Sequence, residues 1–499
     1  MLKELLKVFG HSIVYGLTGI LSTFVSVFLI PIYTRILTPA EYGVIALLTT
    51  LSLIILIFTS MGMGTAVFWA YFNAKEEERK EVVFTAFLFL TIFPLLVSII
   101  FYLSSGLINR LLFGNTDNIL LIRLSAWTIF FNAGIMIPLA LLRAEGKPSK
   151  FVLVTLSQTL VSVILSIWFV VVLRWGVAGA FWASLFAAIF GYIFSLLFTV
   201  NRIAPRFSYH WLREMLRFGV PMMPAGLAMW AMNSSDRYFL NAFAGTADVG
   251  IYIVGYKVGM FVALIVGAFQ LAYGPFIFSI FNERPNPKEY YRKIATYYFF
   301  CIFLIALGLS IFAKEIIQIL SGPNFHAGYT VVPFVAYSYV AFGLYFTFST
   351  GVSVMRKTYL STIAVLLSGI LNLTLNFLLI SKFGMIGAAI ASFVSFSALA
   401  GIELAFSQQV YKIPFEFRRF VTISAVGVLL IVLAAMINLG LITSILIKTT
   451  LLAMFPVILY IIGFFDKREV EIIKKMVNLV ISTRGNPIQL INAIKEETI

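Results

Sequence analysis

The chain has 499 residues, of which 61% are hydrophobic and 11% are charged, against about 25% charged residues in soluble domains. This composition excludes a soluble enzyme, a disordered chain and a secreted disulfide scaffold. The 36 Lys and Arg residues exceed the 21 acidic ones and give a net charge of +15, which indicates either nucleic-acid binding or a membrane protein with basic cytoplasmic loops. Cys301 is the single cysteine, so neither a disulfide framework nor a thiolate metal cluster is predicted.

Apolar runs recur along the chain, separated by short polar segments. A bilayer core about 30 Å thick requires about 20 apolar residues per helix. The runs that reach this length cover residues 11–34, 43–71, 82–104, 119–142, 151–173, 177–200, 215–243, 251–281, 294–313, 329–354, 359–381, 385–411, 419–439 and 443–465. The pattern predicts an all-α polytopic membrane protein with about 14 transmembrane helices.

The distribution of basic residues gives the orientation. If the N-terminus is cytoplasmic, 27 of the 36 Lys and Arg residues lie in segments on the cytoplasmic side, and 7 lie in segments on the other side. We therefore expect a multi-pass protein of the cell (inner or plasma) membrane with both termini in the cytoplasm and with membrane lipids around it. The positive charge is then explained by topology, and no nucleic acid is expected as a partner.

Two motifs recur at nearly the same spacing. Residues 174–184 match residues 382–392 in the pattern basic, aromatic, Gly, two apolar, Gly-Ala, and later Ala-Ser, at an offset of 208. Thr38-Pro-Ala-Glu-Tyr-Gly43 matches Thr246-Ala-Asp-Val-Gly250 at an offset of 207 to 208. The repeat unit is therefore six spans, and two units of equal topology are expected around an axis along the membrane normal.

This duplication predicts four segments. Residues 1–205 and 206–415 each form a six-helix bundle, residues 416–465 add two transmembrane helices, and residues 466–499 form a cytoplasmic amphipathic tail. The first two segments are expected to form a parallel repeat, while the last two lie outside it.

Several motifs together resemble those of a known family. They are Pro31-Ile-Tyr-Thr-Arg35, Leu37-Thr-Pro-Ala-Glu-Tyr-Gly43, Arg217-Phe-Gly-Val-Pro-Met-Met-Pro224, Asp236-Arg237 and the two Gly-x-x-Gly-Ala turns. The chain resembles the polysaccharide-export flippases of the multidrug/oligosaccharidyl-lipid/polysaccharide superfamily. The resemblance implies two bundles facing a central cavity and alternating access.

The same resemblance implies a substrate and partners. The substrate would be a polyprenyl-diphosphate-linked oligosaccharide, a polysaccharide or O-antigen repeat unit, moved from the inner to the outer leaflet. The polysaccharide polymerase and the glycosyltransferases of the same pathway would be partners.

Four charged residues, Asp236, Arg237, Lys257 and Glu403, lie more than five residues from either end of an apolar run, and a charge at mid-bilayer costs about 2.5 to 3.5 kcal/mol. Arg237 and Lys257 are each about 9 Å below the predicted outer boundary, and we expect them, with Asp236, to bind the anionic part of a substrate. The alternative is structural, with Lys257 reaching outward and Arg237 held by a neighbour. Glu403 is a candidate proton or sodium site, or the partner of a nearby basic side chain.

Helix-breaking residues indicate where the bundles could bend. Pro221 and Pro224 stand at the entry to the run 215–243 and are candidate gating residues, because proline removes a backbone donor. The three histidines, at positions 11, 210 and 326, are far apart in sequence, so no metal site is predicted, and no nucleotide-binding motif or cofactor site is present.

Other functions remain open at this point. A cation-coupled multidrug exporter of the same superfamily would need carboxylates in its cavity. A membrane polysaccharide polymerase or ligase would need a large extramembrane loop, and the sequence has none of the necessary length. We therefore expect a transporter rather than an enzyme.

Overall fold

Helices dominate the computed structural model, which describes residues 28–114, 117–200, 205–437, 439–466 and 469–471. Residues 28–36 form the first helix, α1. The following helices of the first half are α2 Pro39–Ser60, α3 Met63–Asn73, α4 Arg79–Leu103, α5 Ser105–Phe113, α6 Ile119–Gly134, α7 Met136–Ala144, α8 Pro148–Ser166 with a π-helical end Ile167–Val172, and α9 Gly176–Leu197.

The rest of the described chain is also helical. Its helices are α10 Tyr209–Gly219, a 3₁₀ turn Val220–Met222, α11 Met223–Ser234, α12 Asp236–Ala244, α13 Thr246–Gly259, α14 Phe261–Glu283, α15 Pro287–Ile311, α16 Ala313–Leu320, a 3₁₀ helix Pro323–Thr330, α17 Val332–Phe348, α18 Thr350–Val354, α19 Tyr359–Val410, α20 Phe417–Ala435 and α21 Leu441–Ile461.

Eleven helical segments in the described part are long and apolar enough to cross a membrane. The described residues contain no strand. The expected all-α polytopic membrane fold is thus confirmed. The count of 14 spans stays a prediction, and most of the first predicted span lies outside the described residues.

The run 215–243 is one span in the sequence prediction, but the structure interrupts it twice. The first break is the 3₁₀ turn Val220–Met222, which contains Pro221 and is followed by Pro224. The second break lies between α11 and α12, where Asp236 Oδ1 accepts the backbone N–H of Arg237 at 2.9 Å. An aspartate that accepts the backbone N–H of the next residue competes with the helical hydrogen bonds, which explains the interruption.

The two turns that match in sequence also match in conformation. Gly176 has φ +55° and Gly384 has φ +54°, and both lie in the left-handed region that favours glycine. Three residues later, a Cβ at Gly387 would lie 2.3 Å from the carbonyl oxygen of Leu379. In a straight helix these two residues would be about 12 Å apart along the axis, so the 52-residue helix α19 folds back at Gly384.

Helices α2 and α13 pack closely through glycines. A Cβ at Gly43 would lie 1.9 Å from the backbone oxygen of Thr246, and a Cβ at Gly250 would lie 1.9 Å from that of Pro39. Only residues without a side chain permit this distance. The beginnings of α2 and α13, on the predicted outer side, are therefore in direct contact, and the structure is closed there.

The chain divides into two compact units, one up to Phe415 and one from Glu416. In the first unit, separate apolar cores form around Met63 and Ile137, around Leu48 and Phe181, and around Met232 and Phe396. The assignment of residues 1–205 and 206–415 to two bundles stays a prediction.

The second unit consists of α20, α21 and the short segment after them. Arg419 on α20 forms ion pairs with Asp466 at 2.9 Å and with Glu469 at 3.1 Å. The predicted amphipathic tail, residues 466–499, lies outside the described residues except for 466 and 469–471.

Candidate functional site

The Thr-Pro-Ala-Glu-Tyr-Gly motif builds the start of α2. Thr38 is the N-cap, Pro39 takes the first helical position, and Glu41 completes a capping box, accepting the Thr38 N–H at 2.8 Å. Tyr42 is 2% exposed and Gly43 contacts α13. The motif therefore fixes the helix start and presents Tyr42 to the second half of the chain.

Arg237 is the second residue of α12, and its side chain reaches across to α2. Its guanidinium donates to Thr50 Oγ1 at 2.7 Å, and it also donates to Ser234 and to the carbonyl oxygen of Asn233, both at 3.4 Å. The guanidinium lies 5.2 Å from the ring centroid of Tyr256, and the whole residue is only 8% exposed. Arg237 Nε is buried and has no hydrogen-bond partner among the described residues.

Lys257 on α13 contacts the same helix near its beginning. Its Nζ donates to Tyr42 Oη at 2.9 Å and lies 5.2 Å from the centroid of the Tyr42 ring. Tyr42 and Thr50 are eight residues apart on α2, so the two contact points are separated by about 12 Å along its axis. The two cations thus bond to residues of α2 that are about two turns apart.

Asp236 is buried, with 1% of its surface exposed. One carboxylate oxygen accepts the backbone N–H of Arg237, and the other accepts the hydroxyl of Tyr252. The carboxylate is thus bound by neutral donors. In the described part of the chain, neither Arg237 nor Lys257 makes a side-chain ion pair with a carboxylate.

Uncharged polar groups surround these three residues. The hydroxyls of Tyr256 and Tyr339 are 2.9 Å apart, and each also binds Asn233, at its backbone and side-chain oxygen respectively. On α19, Asn376 donates to Ser235, the residue before Asp236, at 3.1 Å and to Asn372 at 2.9 Å. This polar network holds the break between α11 and α12 in place.

Two further bonds from the second half also end on α2. Trp230 Nε1 donates to the backbone oxygen of Thr50 at 3.2 Å, and the Tyr238 hydroxyl donates to that of Leu47 at 3.3 Å. Together with the bonds from Arg237 and Lys257, they give α2 four hydrogen bonds from side chains of the second half.

Glu403 lies apart from Asp236, Arg237 and Lys257, on the part of α19 that follows Gly384. It is completely buried, and its Oε1 accepts the Ser361 hydroxyl at 2.6 Å. Its Oε2 is also buried, and in the part of the chain that the structure describes it has no hydrogen-bond partner. Within that part, the hydrogen-bonded partner of Glu403 is therefore a neutral hydroxyl.

Pro221 and Pro224 are exposed at the break between α10 and α11. This break faces a second one, since a Cβ at Gly219 would lie 2.4 Å from the backbone oxygen of Met61, where α2 ends in a left-handed residue. Two helix interruptions are therefore in contact.

A separate cavity of about 530 Å³ lies within the first half of the chain, between α2, α6, α8 and α9. The described residues that line it are uncharged, and the side chains of Asn132 and Gln158 lie among them. This cavity, Tyr42, Thr50 and the tyrosines around Arg237 are not among the site residues predicted from the sequence. The signal that could have indicated the cavity is a series of Ser, Thr, Asn and Gln inside apolar runs.

A family model described as polysaccharide biosynthesis protein matches residues 32–328, which is more than half of the chain. The chain belongs to this family. The membership indicated by the motifs around Pro39 and Arg237 is thereby confirmed, and the protein is a multi-pass membrane protein of this family.

Two curated relatives are similar over part of their length. The chain is 23% identical over 314 residues to an uncharacterized membrane protein of Methanocaldococcus jannaschii, covering 59% of each chain. It is 21% identical over 240 residues to a probable low-salt glycan biosynthesis flippase of Haloferax volcanii, covering 47% of this chain and 51% of that protein. The chain thus matches between half and three fifths of the length of these relatives.

Solved structures share the fold. The lipid II flippase MurJ in an inward closed conformation has a TM-score of 0.73 at 16% identity, covering 91% of this chain and 99% of that chain. A multidrug resistance MATE family transporter of the MOP superfamily, in an inward-facing conformation, has a TM-score of 0.65 at 16% identity, covering 78% and 94%. The chain therefore has the fold of these transporters.

Proposed function

We propose that the protein moves a polyprenyl-diphosphate-linked oligosaccharide from the inner to the outer leaflet by alternating access. The observation that carries the proposal is the pairing of two cations, Arg237 and Lys257, with neutral hydroxyls of α2. A cation bound to a hydroxyl keeps its full charge, so it can exchange that neutral partner for a phosphate oxygen and gain a charge-assisted bond.

The same contacts supply a coupling between binding and opening. Thr50 and Tyr42 hold Arg237 and Lys257 only while α2 lies against α12 and α13. A diphosphate that takes over either cation removes a bond between α2 and the second half of the chain. Substrate binding and closure at α2 thus compete, which is what alternating access requires.

Glu403 and the helix break at Pro221 and Pro224 have roles in the same transport cycle under this proposal. We propose Glu403 as the site of proton or sodium coupling, because a buried carboxylate whose hydrogen-bonded partner is a single neutral hydroxyl is suited to exchange a cation. We propose the break that contains Pro221 and is followed by Pro224 as a hinge, because it lies against the end of α2.

The wider setting follows from the same proposal. The protein would lie in the cell membrane with both termini in the cytoplasm, where glycosyltransferases supply the substrate, and a polymerase would use the product on the other side. The glycan would pass unchanged, which separates this function from that of a polymerase or ligase.

The test is translocation in proteoliposomes that contain a fluorescent polyprenyl-diphosphate saccharide. We expect the native chain to move the probe between leaflets without changing its mass, and we expect the double variant Arg237→Ala with Lys257→Ala to lose this activity. The matched control is Arg110→Ala with Lys382→Ala, two exposed cations outside the cluster, which should remain active.

Unchanged translocation in the first double variant would contradict the role of the cations. The same liposomes, loaded with a cationic dye, test the alternative of a multidrug exporter. Dye export without movement of the saccharide probe would favour that alternative over a glycan flippase.

A further inference from the structure

The cavity in the first half of the chain is separate from Arg237 and Lys257. Helix α2 lies between them, because Thr49 and Ser52 line the cavity while Thr50 binds Arg237. Thr49 is ten residues from the start of α2, and Gln158 is ten residues from the start of α8, so both are about 15 Å inside their helices. The cavity is therefore near the middle of the membrane.

Its composition is unusual for that depth. Ten of the 17 lining residues are Ser, Thr, Asn or Gln, and none of these described residues is charged. Polar side chains inside a membrane protein are costly and commonly face a substrate pathway. A volume of about 530 Å³ is within the range of about 300 to 1,000 Å³ that is typical of small-ligand sites.

Most of the hydroxyls around the cavity bond to their own helices. Those of Thr49, Ser52, Ser125, Thr128 and Thr155 each donate their proton to a backbone oxygen of their own helix, at 2.7 to 3.0 Å. Since a hydroxyl has one proton and two lone pairs, its oxygen remains able to accept a hydrogen bond. The wall therefore presents mainly acceptors and favours a ligand with many O–H donors.

An amide pair completes the wall. Gln158 Nε2 donates to Asn132 Oδ1 at 3.3 Å. Gly191 leaves the space that Gln158 occupies, because a Cβ at Gly191 would lie 2.7 Å from Gln158 Cδ. Gln158 is thus held in position by packing, and the two amides add donors at a fixed place on a surface otherwise rich in acceptors.

We propose that this cavity binds an uncharged sugar unit of the transported glycan. An anionic sugar would need a basic residue, a cationic drug would need a carboxylate, and a bare metal ion is much smaller than the cavity. A neutral sugar, which carries several hydroxyl groups, matches both the acceptors and the amide pair. The inference rests on the proposed flippase function and assigns a place to the sugar, separate from that of the diphosphate.

Protection of an introduced thiol tests the proposal. Ser162 lines the cavity and Ser381 is exposed elsewhere, so Ser162→Cys and its matched control Ser381→Cys are made in a Cys301→Ser chain. The full-length variants in nanodiscs are labelled with a small methanethiosulfonate reagent. The probes are a polyprenyl diphosphate with a neutral disaccharide, the same lipid with a uronic acid disaccharide, the sugar-free lipid diphosphate, and the free neutral disaccharide.

We expect the neutral lipid-linked probe, at ten times its dissociation constant, to slow labelling of Ser162→Cys about tenfold and to leave Ser381→Cys unchanged. Protection by the free disaccharide at higher concentration would support the same site without the lipid. Equal protection by the sugar-free lipid would overturn the proposal, as would equal protection by the uronic acid probe or a thiol that never reacts.

Translocation of the neutral probe, measured with the same preparations, separates this inference from the proposed function. Movement of the probe without protection of Ser162→Cys would overturn the sugar site alone, whereas absence of both would contradict the flippase proposal as well. Gln158→Leu provides a second measurement, and we expect it to slow movement of the neutral saccharide lipid without slowing that of the sugar-free lipid.

Discussion

Gly43 and Gly250 occupy equivalent places in one reciprocal contact. Gly43 lies against the backbone of Thr246, and Gly250 lies against that of Pro39, with the same 1.9 Å between each ideal Cβ and the facing oxygen. Gly43 and Gly250 are 207 positions apart, as are Pro39 and Thr246, which agrees with the offset of 207 to 208 between the two motifs. Such a contact has the form of an isologous interface between two copies, although both parts belong to one chain.

Alanine at either glycine should open this contact. Gly43→Ala and Gly250→Ala each place a methyl group on a backbone oxygen, and overpacking of this kind costs about 1 to 3 kcal/mol. The ratio of closed to open molecules should therefore fall by about 5- to 150-fold. Gly267→Ala is the control, because nothing lies within 4 Å of a Cβ there.

The distance between spin labels on Ala40→Cys and Ala247→Cys, two residues at the beginnings of α2 and α13, measures this opening. Both glycine variants should move the distance distribution to longer values by a similar amount. A shift in only one of them would be inconsistent with the reciprocal contact.

The bond between Tyr252 and Asp236 should be worth a measurable part of the stability of the second half. Tyr252→Phe removes the donor to a buried carboxylate, and hydrogen bonds to charged groups contribute about 1.5 to 3 kcal/mol. We expect a lower Tm in nanodiscs, and a smaller effect of the same change in an Asp236→Asn background. Tyr359→Phe, at an exposed tyrosine, should leave the Tm unchanged. Equal effects of Tyr252→Phe in both backgrounds would refute the coupling.

Glu403→Gln should separate transport from its driving gradient. Glutamine keeps an oxygen for the Ser361 hydroxyl but cannot bind a proton or a sodium ion in the same way. We expect the rate without a gradient to be retained and the stimulation by a proton or sodium gradient to be lost. The exposed Glu289→Gln serves as control. A Glu403→Gln chain that still responds to both gradients would eliminate this residue as the coupling site.

The turns at Gly176 and Gly384 should depend equally on a residue that can adopt a left-handed backbone conformation. Gly176→Ala and Gly384→Ala force a side chain into the left-handed region, at about 1 to 2 kcal/mol, and neither position has a close contact that would add a steric penalty. Both variants should lower the Tm by similar amounts, and Gly384→Asn should lower it less. Gly106→Ala is the control, because nothing lies within 4 Å of a Cβ at this helical position, and it should leave the Tm unchanged. A large difference between the two turns would show that they are not equivalent.

The sequence predicted those parts of the fold that depend on local rules. Apolar length predicted the membrane helices, and the spacing of glycines predicted that residues 174–184 and 382–392 form the same turn. Proline and aspartate also act locally, so the interruptions at Pro221 and Asp236 are explained by chemistry visible in the sequence, although the run 215–243 was predicted as one span.

The contacts of the candidate site could not be predicted in the same way. Arg237 and Lys257 are conspicuous as charges in apolar runs, whereas their partners Thr50 and Tyr42 are ordinary residues of α2. Whether Thr50 or Tyr42 contacts a given cation depends on how α2 packs against α13. That packing is set by the contact at Gly43 and Gly250, which are far apart in the sequence. The neutral cavity escaped prediction for a similar reason, because its polar side chains come from four different helices.

Helix α2 has one face on the cavity and another on Arg237 and Lys257, so a ligand on either face changes the energy of the same element. If sugar in the cavity favours one position of α2, that position must in turn favour sugar by the same free energy. Glycan recognition and the release of the lipid diphosphate would then be thermodynamically linked through a single helix. A glycan of the wrong shape would be rejected by failing to move α2, even though its diphosphate is identical to that of the correct substrate.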